Sequence, residues 1–219
     1  MSSIKLKDSG IAWIGKIPQH WEVIALKYCA QTNTGLSYKP KNITSSEKGI
    51  AVLRANNVQN GKIVYDNFVY VESRIITNKK MACAGDLLVC VNNGSTHLLG
   101  KTAKITKDGM AFGAFMSIIR SQINDFLYYI LQTNMLRRSI SDFAVSVGIG
   151  QISKSDIDNF KIPLPPLHEQ EAIAKFLDEK CQDIDALIAT HQESIEKLRG
   201  YRTSLISEVI VGQHQGAYQ

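Results

Sequence analysis

The feature that most constrains this chain is the stretch from His168 to Val211, where apolar residues recur at alternating spacings of three and four. With Leu177 as position d, the a and d places fall on Ala174, Leu177, Cys181, Ile184, Ile188, His191, Ile195, Leu198, Arg202, Leu205 and Val209. Nine of these eleven are apolar or small, and the heptad phase never slips. The pattern predicts one helix of about 44 residues, roughly 65 Å long at about 1.5 Å per residue. Glu169 and Glu171 suit its N-terminus, and Gly212 its stop. Gly200 is the only weak interior residue.

Such a rod is longer than a body of about 166 residues is wide, roughly 40 Å, so it is expected to overhang and to require a partner. The alternative, a hairpin folded back on the body, lacks a turn cluster between Ala172 and Arg199. The expected dimerisation residues are Leu177, Ile184, Ile188, His191, Ile195, Leu198, Arg202, Leu205 and Val209. His191 and Arg202 are either snorkelling surface residues or register-setting polar positions on the seam.

Two further signals place a boundary just before this helix. Ile162 to Leu167 holds three of the chain's five prolines, an extended, stiff run that cannot continue a helix. Up to Pro166 there are 20 basic and 11 acidic residues, a charge of +9; beyond it there are 5 and 9, a charge of −4. The expected organisation is a basic globular domain over 1–162, a proline-rich connector over 163–167, a long helix over 168–211 and a tail over 212–219.

The body reads as mixed, giving an α+β fold class with a long coiled-coil-forming helix appended. Expected strands are Ile50–Leu53, Lys62–Val64, Asn67–Val71, Asp86–Val91, Thr102–Ile105 and Met116–Ile119, followed by helices Asn124–Thr133 and Met135–Ala144. Between them lie polar loops at Asn33–Asn42, Asn56–Gly61, Asn92–Thr96 and Gly148–Ser155. Turn chemistry alone selects Asn, Ser and Gly, but four such loops on a +9 body favour a polyanion. Asn and Gln read adenine, Arg and Lys read guanine, and all of them reach phosphates. The candidate DNA contacts are Lys39, Lys41, Arg54, Asn56, Asn57, Asn92, Asn93, Ser95, Thr96, Lys101, Gln151 and Lys154.

No apolar run reaches the roughly 18 residues of a membrane helix, and the N-terminus lacks a secretory apolar core, so a cytoplasmic protein is expected. Cys29, Cys83, Cys90 and Cys181 are widely spaced and read as free thiols, with no metal site. There is no phosphate-binding Gly-rich loop; Gly148-Ile149-Gly150 is an isolated pair of glycines. No nucleophile setting and no carboxylate cluster for a nuclease metal are present, so the chain is expected to be non-catalytic.

Several stretches resemble a known family. Lys7 to Val23, Lys-Asp-Ser-Gly-Ile-Ala-Trp-Ile-Gly-Lys-Ile-Pro-Gln-His-Trp-Glu-Val, is similar to the opening of a target-recognition domain of type I restriction–modification specificity subunits. Ala84 to Val89 resembles that family's Gly-Asp strand, and Gly150 to Ser153 with Ile162 to Gln170 its exit into the conserved helix. Leu205 to Gly212 resembles the helix end, although Val211-Gly212-Gln213 departs from the more usual Thr-Gly-Lys.

The resemblance implies a subunit that chooses the DNA sequence, with no cofactor of its own. Methyltransferase (M) and restriction (R) subunits would carry S-adenosylmethionine, ATP and Mg. Full-length members pair two recognition domains with two such helices. One of each here implies a half-length form or a truncation, reading half of a bipartite duplex site and pairing with a second copy. The alternatives are a non-specific nucleic-acid binder and a helix-mediated assembly or regulatory protein.

Overall fold

The computed structural model describes residues 5–92, 98–144 and 151–212. The chain divides into two units, Met1–Ala174 and Lys175–Gln219.

The first unit is built on two sheets. A six-stranded sheet has the order β4 (Gln31–Thr34), β14 (Met116–Arg120), β11 (Leu87–Cys90), β12 (Thr102–Lys104), β8 (Lys62–Ile63) and β7 (Val58–Gln59). A five-stranded sheet has the order β10 (Met81–Ala82), β13 (Met110–Phe112), β6 (Gly49–Leu53), β9 (Val69–Glu72) and β5 (Ile43–Thr44). Strand β11 shows why they stack. Its four residues are all fully buried, and successive side chains of a strand point to opposite faces. Leu88 and Cys90 pack with Leu53, Met110 and Phe112 of the five-stranded sheet. Leu87 and Val89 pack with Phe126, Leu127, Ile130 and Leu131 of helix α1 (Asn124–Gln132).

The apolar residues of α1 recur at the spacings of one helical face. Helices α2 (Met135–Ala144) and α3 (Lys154–Asn159) contribute Leu136 and Ile157 to the same core. Between β7 and β8 the turn is Asn60-Gly61, with φ of 49° and 75°, the left-handed pair a two-residue hairpin requires.

All six expected strands are present within two residues, as are both expected helices. Helix α3 lies partly in a stretch read as a polar loop. Its capping box is explicit: Asp156 N–H donates to Ser153 Oγ at 3.1 Å, and Ser153 N–H donates to Asp156 Oδ2 at 2.7 Å. The proline run also differs from its reading as a connector. Lys161–Leu164 forms strand β15, which pairs antiparallel with β3 (Glu22–Ala25). Proline is tolerated there because each strand of a two-stranded sheet is an edge, and Ile162 is buried in the α1–α3 core. A second ribbon joins β1 (Leu6–Asp8) and β2 (Lys16–Pro18).

Helix α4 (Leu167–Ile210) is continuous for 44 residues and ends at Gly212, where φ is 74°. Its first turns belong to the first unit. Glu169 there accepts hydrogen bonds from Trp21 Nε1 at 2.8 Å and pairs with His20 Nε2 at 2.6 Å. Those bonds, Trp21's first, hold the Glu169 carboxyl below its usual range. In the second unit the seam is uncovered: Ile184, Ile188, Ile195 and Leu198 are all exposed, Leu198 at 66%.

Candidate nucleic-acid interface

Three chain segments pass from one sheet to the other at the same end of the first unit. Gly35–Asn42 leaves β4 for β5, Arg54–Asn57 leaves β6 for β7, and Gly113–Phe115 leaves β13 for β14. Register explains the convergence. Strand β14 begins opposite the end of β4, with Ser117 facing Thr34, while β13 runs parallel to β6, with Phe112 facing Leu53. Where the crossings meet they enclose an open groove of about 510 Å³. Its apolar lining includes Leu36, Tyr38, Phe115 and Met116; Ser37, Arg54 and Asn56 are its polar lining.

The groove is held rigidly. Gly35 N–H donates to Met116 O at 2.9 Å, Leu36 N–H to Phe112 O at 2.7 Å, and Gly113 N–H to Leu53 O at 2.9 Å. Lys80 Nζ donates to the carbonyls of Thr34 and Gly35 at 2.6 and 3.2 Å. A tight turn closed by Met116 N–H on Gly113 O, 2.8 Å, presents Phe115 with 60% of its surface exposed.

Several of the expected contact residues gather at this end. Arg54 and Asn56 line the groove. Asn92 N–H donates to Phe115 O at 3.2 Å, and Asn92 bridges Gln151. The Lys101 carbonyl accepts from Cys90 N–H at 2.8 Å, which puts Lys101 at the same end of the sheet, in a neighbouring cleft with Gln132 and Asn134. Lys39 and Lys41 are exposed just beyond Tyr38. Asn93, Ser95 and Thr96 lie outside the described residues, as does Gly148-Ile149-Gly150.

Two expected contacts are placed elsewhere. Asn57 is fully buried: it accepts from Arg54 N–H at 3.0 Å and donates to Val64 O and Asp66 O at 3.0 and 2.9 Å. It staples the crossing together and has no surface to offer DNA, because its amide serves three backbone groups that would otherwise be orphaned. Lys154 sits on α3 and pairs with Asp158 one turn on, where Thr32 Oγ1 also donates. Partial burial raises the Asp158 carboxyl, but the bonds from Lys154 and Thr32 outweigh it and hold the group below its ordinary range.

Sequence reasoning did not find Phe115, Tyr38 or Ser37. The available signal was the glycine pair. A Cβ on Gly35 would fall inside the Gly113 carbonyl and 2.7 Å from Phe112 O, so glycine there marks a close backbone approach.

At the other end of β14, five residues or about 16 Å away, Arg120 donates to Asp86 through Nε at 2.7 Å and Nη2 at 2.6 Å. Asp86, 3% exposed at its side chain, also accepts from Cys83 N–H at 2.8 Å, so this carboxylate is a fully engaged brace. Among the described residues no group of three or more His, Cys, Asp or Glu side chains is placed to hold a metal ion. No described helix is long and apolar enough to cross a membrane.

The first unit thus carries a groove lined by the cation of Arg54 and the amide of Asn56, and the helix that follows exposes an apolar seam. The family model of the type I restriction modification DNA specificity domain matches residues 18–198. The chain belongs to this family. It is 25% identical over 205 residues to the specificity subunit of the type I restriction enzyme EcoKI of Escherichia coli K12, covering 91% of this chain and 44% of that protein. It is 24% identical over 204 residues to the StySPI specificity subunit of Salmonella potsdam, covering 90% and 44%.

The fold aligns with a solved structure from work on complex assembly and conformational transition of the type I R-M system. The TM-score is 0.72 at 19% identity, over 95% of this chain and 49% of that one. It also aligns with the HsdS subunit from Thermoanaerobacter tengcongensis, with a TM-score of 0.64 at 20% identity, over 95% and 48%. The chain thus spans about half the length of the curated relatives it matches.

Proposed function

We propose that this chain is a non-catalytic specificity half-subunit. Its first unit reads one half of a bipartite duplex target, and its helix joins it to a second recognition half. The observation that carries this reading is the convergence of Arg54, Asn56, Asn92, Lys101 and Gln151 on one rigid sheet end, in a member of the DNA specificity family. Methyltransferase and restriction subunits would supply S-adenosylmethionine, ATP and Mg chemistry; this chain would hold none of them and act in the cytoplasm.

The uncovered seam supports a second copy as the partner. In an antiparallel pair each seam meets its own reversed copy, the isologous arrangement of a two-fold dimer. A rod of roughly 65 Å would set the reading ends more than one DNA turn, about 34 Å, apart. The target would then be an interrupted palindrome whose spacer follows helix length.

The test is duplex binding at fixed salt, with targets selected from a random pool. Specific reading gives a preference on the order of 10³ or more over scrambled duplex; equal affinity for all duplexes, varying only with salt, refutes it. The chain alone should transfer no methyl group from S-adenosylmethionine, and with its methyltransferase subunit it should direct adenine methylation.

A further inference from the structure

The groove carries a finer reading, which rests on the proposal that this end of the domain meets DNA. We infer that the groove reads the C5-methyl group of a thymine, with Phe115 as the residue that senses it. One side of the groove is apolar: Leu36 and Met116 are buried beneath it, and Phe115 lies at its edge, 60% exposed. The hydrogen-bonded turn fixes the backbone that carries this phenyl, and the ring offers an apolar surface at the rim. The other side is polar and cationic.

Arg54 has no carboxylate within ion-pair distance among the described residues. Its Nη2 donates only to Asn67 O at 3.2 Å, and its buried Nε has no hydrogen-bond partner. Asn56 lies beside it with its side chain exposed.

Those two sides match the major-groove edge of a T·A pair. Thymine presents a methyl group there, the only apolar group on any base edge, and adenine presents the N6 donor and N7 acceptor that an amide reads together. The unneutralised Arg54 suits the neighbouring phosphate or a guanine edge. Phe115 and Asn56 are exposed at the rim, so they can enter the DNA major groove and meet a base-pair edge without extrusion of a nucleotide. Charge also favours this occupant over a polypeptide, since the residues up to Pro166 carry +9.

The test uses the full chain and a target selected from a random duplex pool. Each thymine in a half-site is replaced singly by deoxyuridine, which removes the methyl and nothing else. At one thymine the loss should be about fourfold, the value for burying one methyl-sized group. Phe115→Ala should abolish that T/U difference while leaving the salt slope of binding unchanged, and Phe115→Leu should retain part of it. Replacing the same T·A pair by a 5-methylcytosine·G pair separates the methyl from the rest of the pair. Tight binding there assigns the groove to any methylated pyrimidine and overturns the thymine assignment.

A selected target at which every deoxyuridine replacement is tolerated within twofold overturns the inference and leaves specific reading intact. If Phe115→Ala then also leaves DNA affinity unchanged, the groove is no part of the DNA interface. A pool that yields no preferred sequence removes both proposals.

Discussion

Gly35 is apposed to Gly113, which lines the groove, so closely that a methyl group on Gly35 would overlap the Gly113 carbonyl. The relationship is one-sided: a Cβ on Gly113 would meet Val52 Cγ1, Leu53 O and Arg54 Cγ at ordinary distances of 3.6, 3.7 and 3.8 Å. Gly35→Ala must therefore push two backbones apart. It should cost on the order of 3 kcal/mol, whereas Gly113→Ala should stay within about 1 kcal/mol of the parent. Urea midpoints of the two variants compare them directly, and equal midpoints would show that the crossings are not rigidly apposed.

Adjacent asparagines should separate stability from recognition. Asn57→Ala strands three backbone groups and should cost about 2–3 kcal/mol. Asn56→Ala should leave stability within about 0.5 kcal/mol and weaken only the selected duplex, by about 1–3 kcal/mol. Thermal unfolding and duplex titration of both variants distinguish the roles. A stability loss at Asn56 and none at Asn57 would reverse the assignment.

The Asp86–Arg120 brace should be unequal in its partners. Removing the buried carboxylate with Asp86→Ala leaves a half-exposed guanidinium that water can rescue, so the cost should be about 2–3 kcal/mol rather than that of a wholly buried pair. Arg120→Ala leaves Asp86, 3% exposed, without its cation and should cost more. Denaturant unfolding of the two single variants ranks them.

Acid should loosen the start of helix α4. Trp21 and His20 bond the Glu169 carboxylate, with the His20 and His168 charges assisting, and depress its titration below the ordinary 4.5. A carboxyl group depressed in the folded state stabilises the protein above its unfolded value, and that contribution is lost as pH falls through the folded value. The Glu169 contribution should therefore be present above about 4.5 and decline below it. Glu169→Gln should shallow the acid limb of stability against pH. A slope remains in that variant, because Glu72, bonded by Arg74 and Asn42, is depressed in the same way. An unchanged acid limb would mean that the clasp does not contribute.

Helix α4 should set the oligomeric state. Ile188 is 59% exposed and Ile195 43%, so Ile188→Asp with Ile195→Asp should not disturb the fold of a single chain, yet should abolish pairing. Sedimentation at micromolar concentration is expected to show a dimer for the parent and a 24.3 kDa monomer for the variant. A parent that sediments as a monomer retires the second copy as partner while leaving the recognition role standing.

The sequence by itself determined the elements whose signal is local. The heptad run marked α4 to within one residue at each end, since 3.6-residue periodicity and a glycine stop need no knowledge of the rest of the chain. The all-apolar strand β11 and the face of α1 were equally plain. Tertiary structure decided the rest. Strands of two or three residues such as β5, β10 and β13 have too few side chains to show alternation and exist because a partner strand supplies their hydrogen bonds. Asn56 and Asn57 are chemically identical, and only the passage of the chain from one sheet to the other turns the first outward and the second into the core. The groove has the same origin: Tyr38, Arg54 and Phe115 are far apart in the chain, and long-range strand register brings them to one rim.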